Sequence, residues 1–159
     1  MKGVVRVALE RSFVMIKPDG VQRGLVGEVV GRLERRGLKL VAAKFLQVSR
    51  AQAEKHYAAL ADKPFFPGLI EFITSGPVLA MVWEGPGAIA LIRQLMGATN
   101  PANAAPGSIR ADYCLDTGYN VIHGSDGPES AAVEIALWFK PEELVEYQRA
   151  ADTWVAPWK

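Results

Sequence analysis

The order in which two hydrophobic periods follow one another constrains this chain more than any single residue. Four short stretches read as strands: "SFVMI" (12–16), "LKLVAAKFLQV" (38–48), "VLAMVW" (78–83) and a run entering the segment "YNVIHGSDGPES" (119–130) that ends at His123. Between them the period changes. Leu25, Val26, Val29, Val30 and Leu33 follow helical spacing, and Gly37 stops that helix. Ser49 and Gln52 form a capping box for a helix through about Leu60, and "FFPGLIEFI" (65–73) reads as a short helix ended by Ser75-Gly76-Pro77. Ala88, Leu91, Ile92, Leu95 and Met96 form an apolar helical stripe that leaves Arg93 to one side. A further helix is predicted over 128–139, Pro141 can open a last one, and the tail from Asp152 carries no pattern. The resulting order, βαββαβ with insertions, predicts an α+β, ferredoxin-like fold: a four-stranded antiparallel sheet covered by helices on one face, with extra helices and a long loop.

With 159 residues the chain fits one domain, 1–159. Residues 1–9 form an N-terminal extension, 97–118 the long loop, with two prolines, three glycines and no sustained period, and 152–159 a tail. The net charge of +1 argues against a broad basic face, so nucleic acid is not indicated as a partner. The first residues are cut by Arg6, Glu10 and Arg11 and do not read as a signal peptide. The longest apolar run near the middle, 78–83, is far short of a membrane span of about 20 residues, and a cytoplasmic protein is expected. The single cysteine, Cys114, cannot form an internal disulfide and reads as a small core residue.

Several chemistries find no motif. There is no G-x-x-x-x-G-K-[ST], Gly85-Pro86-Gly87 lacks the rest of a dinucleotide fingerprint, and the two histidines are too far apart for H-E-x-x-H. "HGSDG" is a near miss for the nucleophile elbow G-x-S-x-G, with His123 in the first glycine position, so Ser125 stays a weak acyl-transfer nucleophile. His123 is the more pointed residue. Neutral imidazole can carry a group covalently if one ring nitrogen is held and the other is left open. Gly124 and Ser125 are small and leave room for a phosphoryl group, and Asn120 and Asp126 stand beside them. The residues alone leave His123 between that role and that of a satisfied polar residue. His56, within "AEKHYAAL", reads as structural or surface.

"NVIHGSD" (120–126) resembles the active-site signature of the nucleoside diphosphate kinases. "FVMIKPDGVQRGLVG" (13–27), the block from His56 to Gly85, "IRQLMGATNPANAAPGSIRADY" (92–113) and "EIALWFKPEELV" (134–145) match the same family in order and spacing, so the resemblance covers about residues 10–154. It implies transfer of the terminal phosphoryl group of a nucleoside triphosphate such as ATP to a nucleoside diphosphate such as GDP, by a ping-pong path through a phosphohistidine. His123 is then the nucleophile through Nδ1. Glu134 holds the other ring nitrogen and Ser125 bonds to Glu134. Lys17, Arg93 and Arg110 form the cationic clamp, where the two guanidinium groups can fork onto phosphate oxygens. Thr99 matches a phosphate-binding hydroxyl, Lys17 and Asn120 hold the ribose hydroxyls, and Tyr57 lies near the transferred phosphate.

By the same resemblance Phe65 is the aromatic lid over the base and Leu69 lines that side, while Phe66 belongs to the helix core. Stacking of this kind tolerates different bases. Mg²⁺ is expected to arrive with the nucleotide, and Asp126 could touch it through water. The 97–118 loop matches the family's subunit-contact loop, implying a homo-oligomer, a hexamer or alternatively a tetramer. Three features depart from the pattern. Thr117 stands where the family has an aliphatic residue facing the base. The ending "WVAPWK" (154–159) replaces an acidic one, and the first nine residues exceed the common start. Two other readings stay distinguishable: a regulatory nucleotide-binding oligomer that does not exchange phosphate, and a serine hydrolase using Ser125.

Overall fold

The structure is a computed structural model that describes residues 8–156. Most of the expected N-terminal extension and the last three residues of the tail lie outside them. Four strands, β1 (Leu9–Ile16), β2 (Lys39–Gln47), β3 (Pro77–Pro86) and β4 (Ile122–Gly124), form one sheet in the order β2-β3-β1-β4. All three neighbouring pairs are antiparallel, with Phe13 opposite Val82, Val14 opposite Met81, and Met15 opposite His123. The helices are α1 (Pro18–Gln22), α2 (Val26–Arg35), α3 (Arg50–His56), α4 (Phe66–Ile73), α5 (Ala88–Met96), α6 (Ile109–Tyr113), α7 (Pro128–Trp138) and α8 (Asp152–Val155). The predicted ferredoxin-like arrangement is therefore present. Among the described residues no helix is long and apolar enough to cross a membrane.

One expectation is corrected: helices cover both faces of the sheet. Val14 and Ile16 join Met81, Trp83 and Ile122 in a core under α2 and α5, whereas Phe13 and Met15 join Ala80 and Val82 in a second core under α3, α4 and α7. The signal was in the strands. "FVMI" and "VLAMVW" do not alternate with polar residues, as strands buried on both faces do not. Cys114 and Phe66 pack where the sequence put them, the first buried and the second against the core beneath α3 and α4.

The element boundaries move for local reasons. β1 reaches back to Leu9, within the predicted extension. The helix expected through Leu60 stops at His56, followed by a single turn over Ala58–Leu60. Ser49 Oγ accepts from Gln52 N at 3.2 Å, but the Gln52 side chain donates to Leu137 O and does not return to close the box. Gly37, with φ of 103°, ends α2 in a left-handed cap that L side chains adopt at a cost. The loop over 97–118 contains α6 and one turn at Pro101–Asn103. Pro141 opens one turn, Pro141–Glu143, instead of a helix, and the tail holds the short α8.

Candidate active site

The strand expected to end at His123 is shorter and differently placed. β4 is only Ile122–Gly124, so His123 lies mid-strand, paired with Met15 of the central strand. The residues before it turn sharply. Val121 has φ of 69°, a left-handed conformation that a β-branched residue adopts only when its surroundings impose it. Two contacts impose it here. Lys17 N donates to Val121 O at 2.8 Å, and Val121 N donates to Asp19 Oδ2 at 3.0 Å. Asp19, in the first turn of α1, thus fixes the approach to β4. The sequence reading passed over it, although "KPDG" is a turn with a hydrogen-bonding acid in place.

Helix α7 brings Glu134 back over the strand. Glu134 Oε2 lies 2.7 Å from His123 Nε2, and Oε1 accepts from Ser125 Oγ at 2.7 Å. A carboxylate can only accept, so His123 carries its proton on Nε2 and leaves Nδ1 with a lone pair. Burial is the largest influence on Glu134 and pushes its carboxyl up. The hydrogen bonds from His123 and the Ser125 hydroxyl, with the electrostatic pull of the His123 ring, together outweigh it and hold the group below the usual carboxylate range. The fold thus brings His123, Ser125 and Glu134 together.

Two neighbours have other duties than the sequence suggested. Gly124 does not leave space for substrate: a Cβ there would lie 2.5 Å from Met96 Sδ and 3.2 Å from Ile92 Cγ2, so its bareness admits α5. Ser125 is fully buried, bonded to Glu134 and accepting from Phe13 N at 3.1 Å. That hydroxyl is not placed to attack an ester, and the hydrolase reading is set aside.

Three cations gather around β4. Lys17 Nζ donates to Asn120 Oδ1 at 2.8 Å, and Asn120 Nδ2 donates to Thr99 O at 3.2 Å, which ties the long loop to the site. Arg93, partly buried on α5, reaches Gly124 O at 3.4 Å. Arg110 is almost fully buried and spends Nε, Nη1 and Nη2 on the carbonyls of Asn120, Gly97 and Ile122, at 3.3, 3.1 and 2.6 Å. Of its five N–H groups, two remain for a ligand. Burial and then the repulsion of Arg110 lower Lys17 to about 8, and burial and then Arg93 lower Arg110 to about 10. Like charges gathered in this way make a ready site for a polyanion.

The remaining candidates are distributed around this centre. Tyr57 caps α3, and burial raises its phenol to about 12, so it stays neutral. Phe65 is half exposed at the head of α4, with Leu69 one turn on and partly buried. Thr99 and Thr117 are exposed, the latter in the turn closed by the Asp116–Tyr119 bridge. Asp126 is exposed, and its Oδ1 accepts from Ser130 Oγ at 2.5 Å at the start of α7. Of the two readings of His56, structural or surface, the structural one holds: it closes α3, its side chain is 1% exposed, and its ring stands 4.8 Å from that of His123.

Comparison with known proteins follows the same lines. A sequence model of the nucleoside diphosphate kinase family matches residues 10–144. The nucleoside diphosphate kinase of Symbiobacterium thermophilum is 71% identical over 149 residues, covering 94% of this chain and 99% of the relative. That of Archaeoglobus fulgidus is 60% identical, over 92% of this chain and 97% of the relative. Among solved structures, the halophilic nucleoside diphosphate kinase of Halobacterium salinarum in complex with CDP superposes with a TM-score of 0.92 at 56% identity, covering 94% of this chain and all of the other.

Proposed function

The chain belongs to the nucleoside diphosphate kinase family and is an enzyme that moves the terminal phosphoryl group of a nucleoside triphosphate to a nucleoside diphosphate; we propose that His123 carries that group between the two nucleotides. The observation that supports this most is the Glu134 carboxylate on His123 Nε2 at 2.7 Å, which leaves Nδ1 as the open nucleophilic nitrogen.

In the first half-reaction the Nδ1 lone pair forms a bond to the terminal phosphorus. The bond from that phosphorus to the bridging oxygen breaks, and the diphosphate departs with the electron pair. The ring gains positive charge as Nδ1 is substituted, and the carboxylate of Glu134, itself steadied by Ser125, balances it at Nε2–H. An acceptor diphosphate then attacks the same phosphorus by the reverse path and restores the imidazole. Lys17, Arg93 and Arg110 meet the charge on the phosphoryl oxygens, since this transfer needs alignment and positive charge more than covalent help. In the same proposal Thr99 binds phosphate, Asn120 and Lys17 bind the sugar hydroxyls, Tyr57 stands near the transferred group, and Phe65, Leu69 and Thr117 border the base.

Magnesium requires oxygen ligands and keeps much of its water. The residues around His123 supply one exposed carboxylate, Asp126, among three cations, a set that suits an ion arriving on the phosphates. Bound there, Mg²⁺ supplies charge neutralisation on the polyphosphate, with Asp126 in reach through water. We further read the chain, 1–159, as one cytoplasmic domain that works as a homo-oligomer, a hexamer or alternatively a tetramer. Leu115 in the long loop is fully exposed and Phe45 stands out from the edge strand β2, apolar surface that a second copy would cover.

The test is His123→Ala. Exchange between ATP and GDP is abolished, while nucleotide binding and fold persist. Undiminished turnover in that variant overturns the assignment.

A further inference from the structure

His56 is the histidine that the chemistry above leaves unused. Its ring meets His123 edge-on, with centroids 4.8 Å apart at 77°, and meets Tyr57 at 4.7 Å and 80°. Phe13 borders both imidazoles, at 5.9 and 5.8 Å. One polar contact settles its protonation. Trp138 Nε1–H donates to His56 Nδ1 at 3.1 Å. An indole N–H only donates, so Nδ1 carries a lone pair and the proton of the neutral ring is on Nε2. Charging His56 would set two N–H groups against each other. Burial, followed by the neighbouring His123 ring, holds this imidazole down to about 3, with Lys17 acting in the same sense and Glu134 opposing.

The position of that nitrogen matters for Glu134. His56 Nδ1 is 3.9 Å from Glu134 Oε2, the oxygen that receives His123 Nε2–H. A protonated Nδ1 would be a second donor competing for the same carboxylate oxygen. His56, His123 and Glu134 also present three ligand atoms within 4.8 Å, a spacing a transition metal could use. His56 Nδ1, His123 Nε2 and Glu134 Oε2 are, however, each engaged in a hydrogen bond, from Trp138 or between His123 and Glu134, so the cluster is organised to place protons.

We propose that His56, tethered by Trp138, is a positioning residue for the nucleophile: its ring sets the plane of His123, and its fixed tautomer reserves Glu134 Oε2 for His123 alone. The inference rests on His123 being the phosphoryl carrier. His56 touches no substrate and acts only through His123. Its effect therefore belongs in the rate of phosphorylation, where misplacing the attacking atom by about 1 Å costs roughly 100-fold, and not in nucleotide affinity.

The decisive variant is Trp138→Phe, which keeps an aromatic ring against Phe13 (5.3 Å and 24° in the parent) and deletes the N–H together with part of the indole. Single-turnover phosphorylation by Mg²⁺-ATP is followed by mapping of the modified peptide, beside ADP binding. The expected result is His123 phosphorylation slowed about 10- to 100-fold with ADP affinity within about twofold of the parent. Full-rate phosphorylation in Trp138→Phe overturns the positioning role while leaving the phosphoryl carrier in place. A parent protein that is not phosphorylated on His123 overturns both. Should Trp138→Phe fail to fold, ¹⁵N spectra of the histidine-labelled parent decide: an unprotonated His56 Nδ1 from pH 6 to 8 supports the inference, and a protonated one removes it.

Discussion

Replacing Glu134 by glutamine isolates the charge on the carboxylate from its geometry. The amide can keep its oxygen on His123 Nε2–H, because Ser125 Oγ has Phe13 O at 3.4 Å as another acceptor and can receive the new NH₂ group. The tautomer of His123 is then preserved, and what is lost is the negative charge opposite a ring that becomes positive during attack. Hydrogen bonds to charged groups are worth about 1.5–3 kcal/mol against about 0.5–1.5 for neutral ones. With Glu134 only 14% exposed and the contact at 2.7 Å, the full difference applies, about 1–1.5 kcal/mol. At 1.36 kcal/mol per tenfold, phosphorylation of Glu134→Gln by ATP slows about 5- to 13-fold. The assay is rapid-quench single turnover with saturating nucleotide, alongside ADP binding. Unchanged affinity with a slowed step supports the reasoning. A parent-like rate, or a defect confined to affinity, refutes it.

Two further outcomes follow from the same contacts. Lys17, held at about 8 against an ordinary value of 10.5, loses its proton in the folded protein before the unfolded chain does. Between about pH 8 and 10.5 the unfolded state therefore binds more protons and stability rises with pH, while attraction for polyphosphate fades; kcat/KM should fall through about pH 8 and that limb should move upward in Lys17→Arg, and a kcat/KM flat to pH 9 would contradict this. Gly124→Ala presses a methyl group on Met96 and Ile92, and overpacking of this kind costs about 1–3 kcal/mol, readable as a lower urea midpoint; an unshifted midpoint would mean that α5 yields freely.

Much of the fold could be read from residues whose local choices agree. The helical stripe from Ala88 to Met96 and the unbroken apolar strands kept their identities because burial and propensity point the same way. What escaped was set by contacts distant in sequence. The early end of α3 brings His56 under His123, a meeting of segments 67 residues apart that no local pattern encodes. Trp138 gave a usable hint, since a buried indole N–H requires an acceptor, but the partner was not visible. Nor was the left-handed turn at Val121, where propensity argues for plain strand and two hydrogen bonds override it. The trio of His123, Ser125 and Glu134 was legible through resemblance, whereas spacing alone would have left Glu134 an ordinary helix acid. Gly124 shows the opposite error: its smallness reads as room for substrate, and the room belongs to Met96.

The central claim is that His123 takes the phosphoryl group itself. The direct test is the intact mass of the protein after mixing with Mg²⁺-ATP and removing nucleotide. The account predicts one added phosphoryl group, mapped to His123, lost on acid treatment and discharged by GDP with formation of GTP. An unmodified mass in a protein that binds nucleotide, or a phosphoryl group on any other residue, would contradict it.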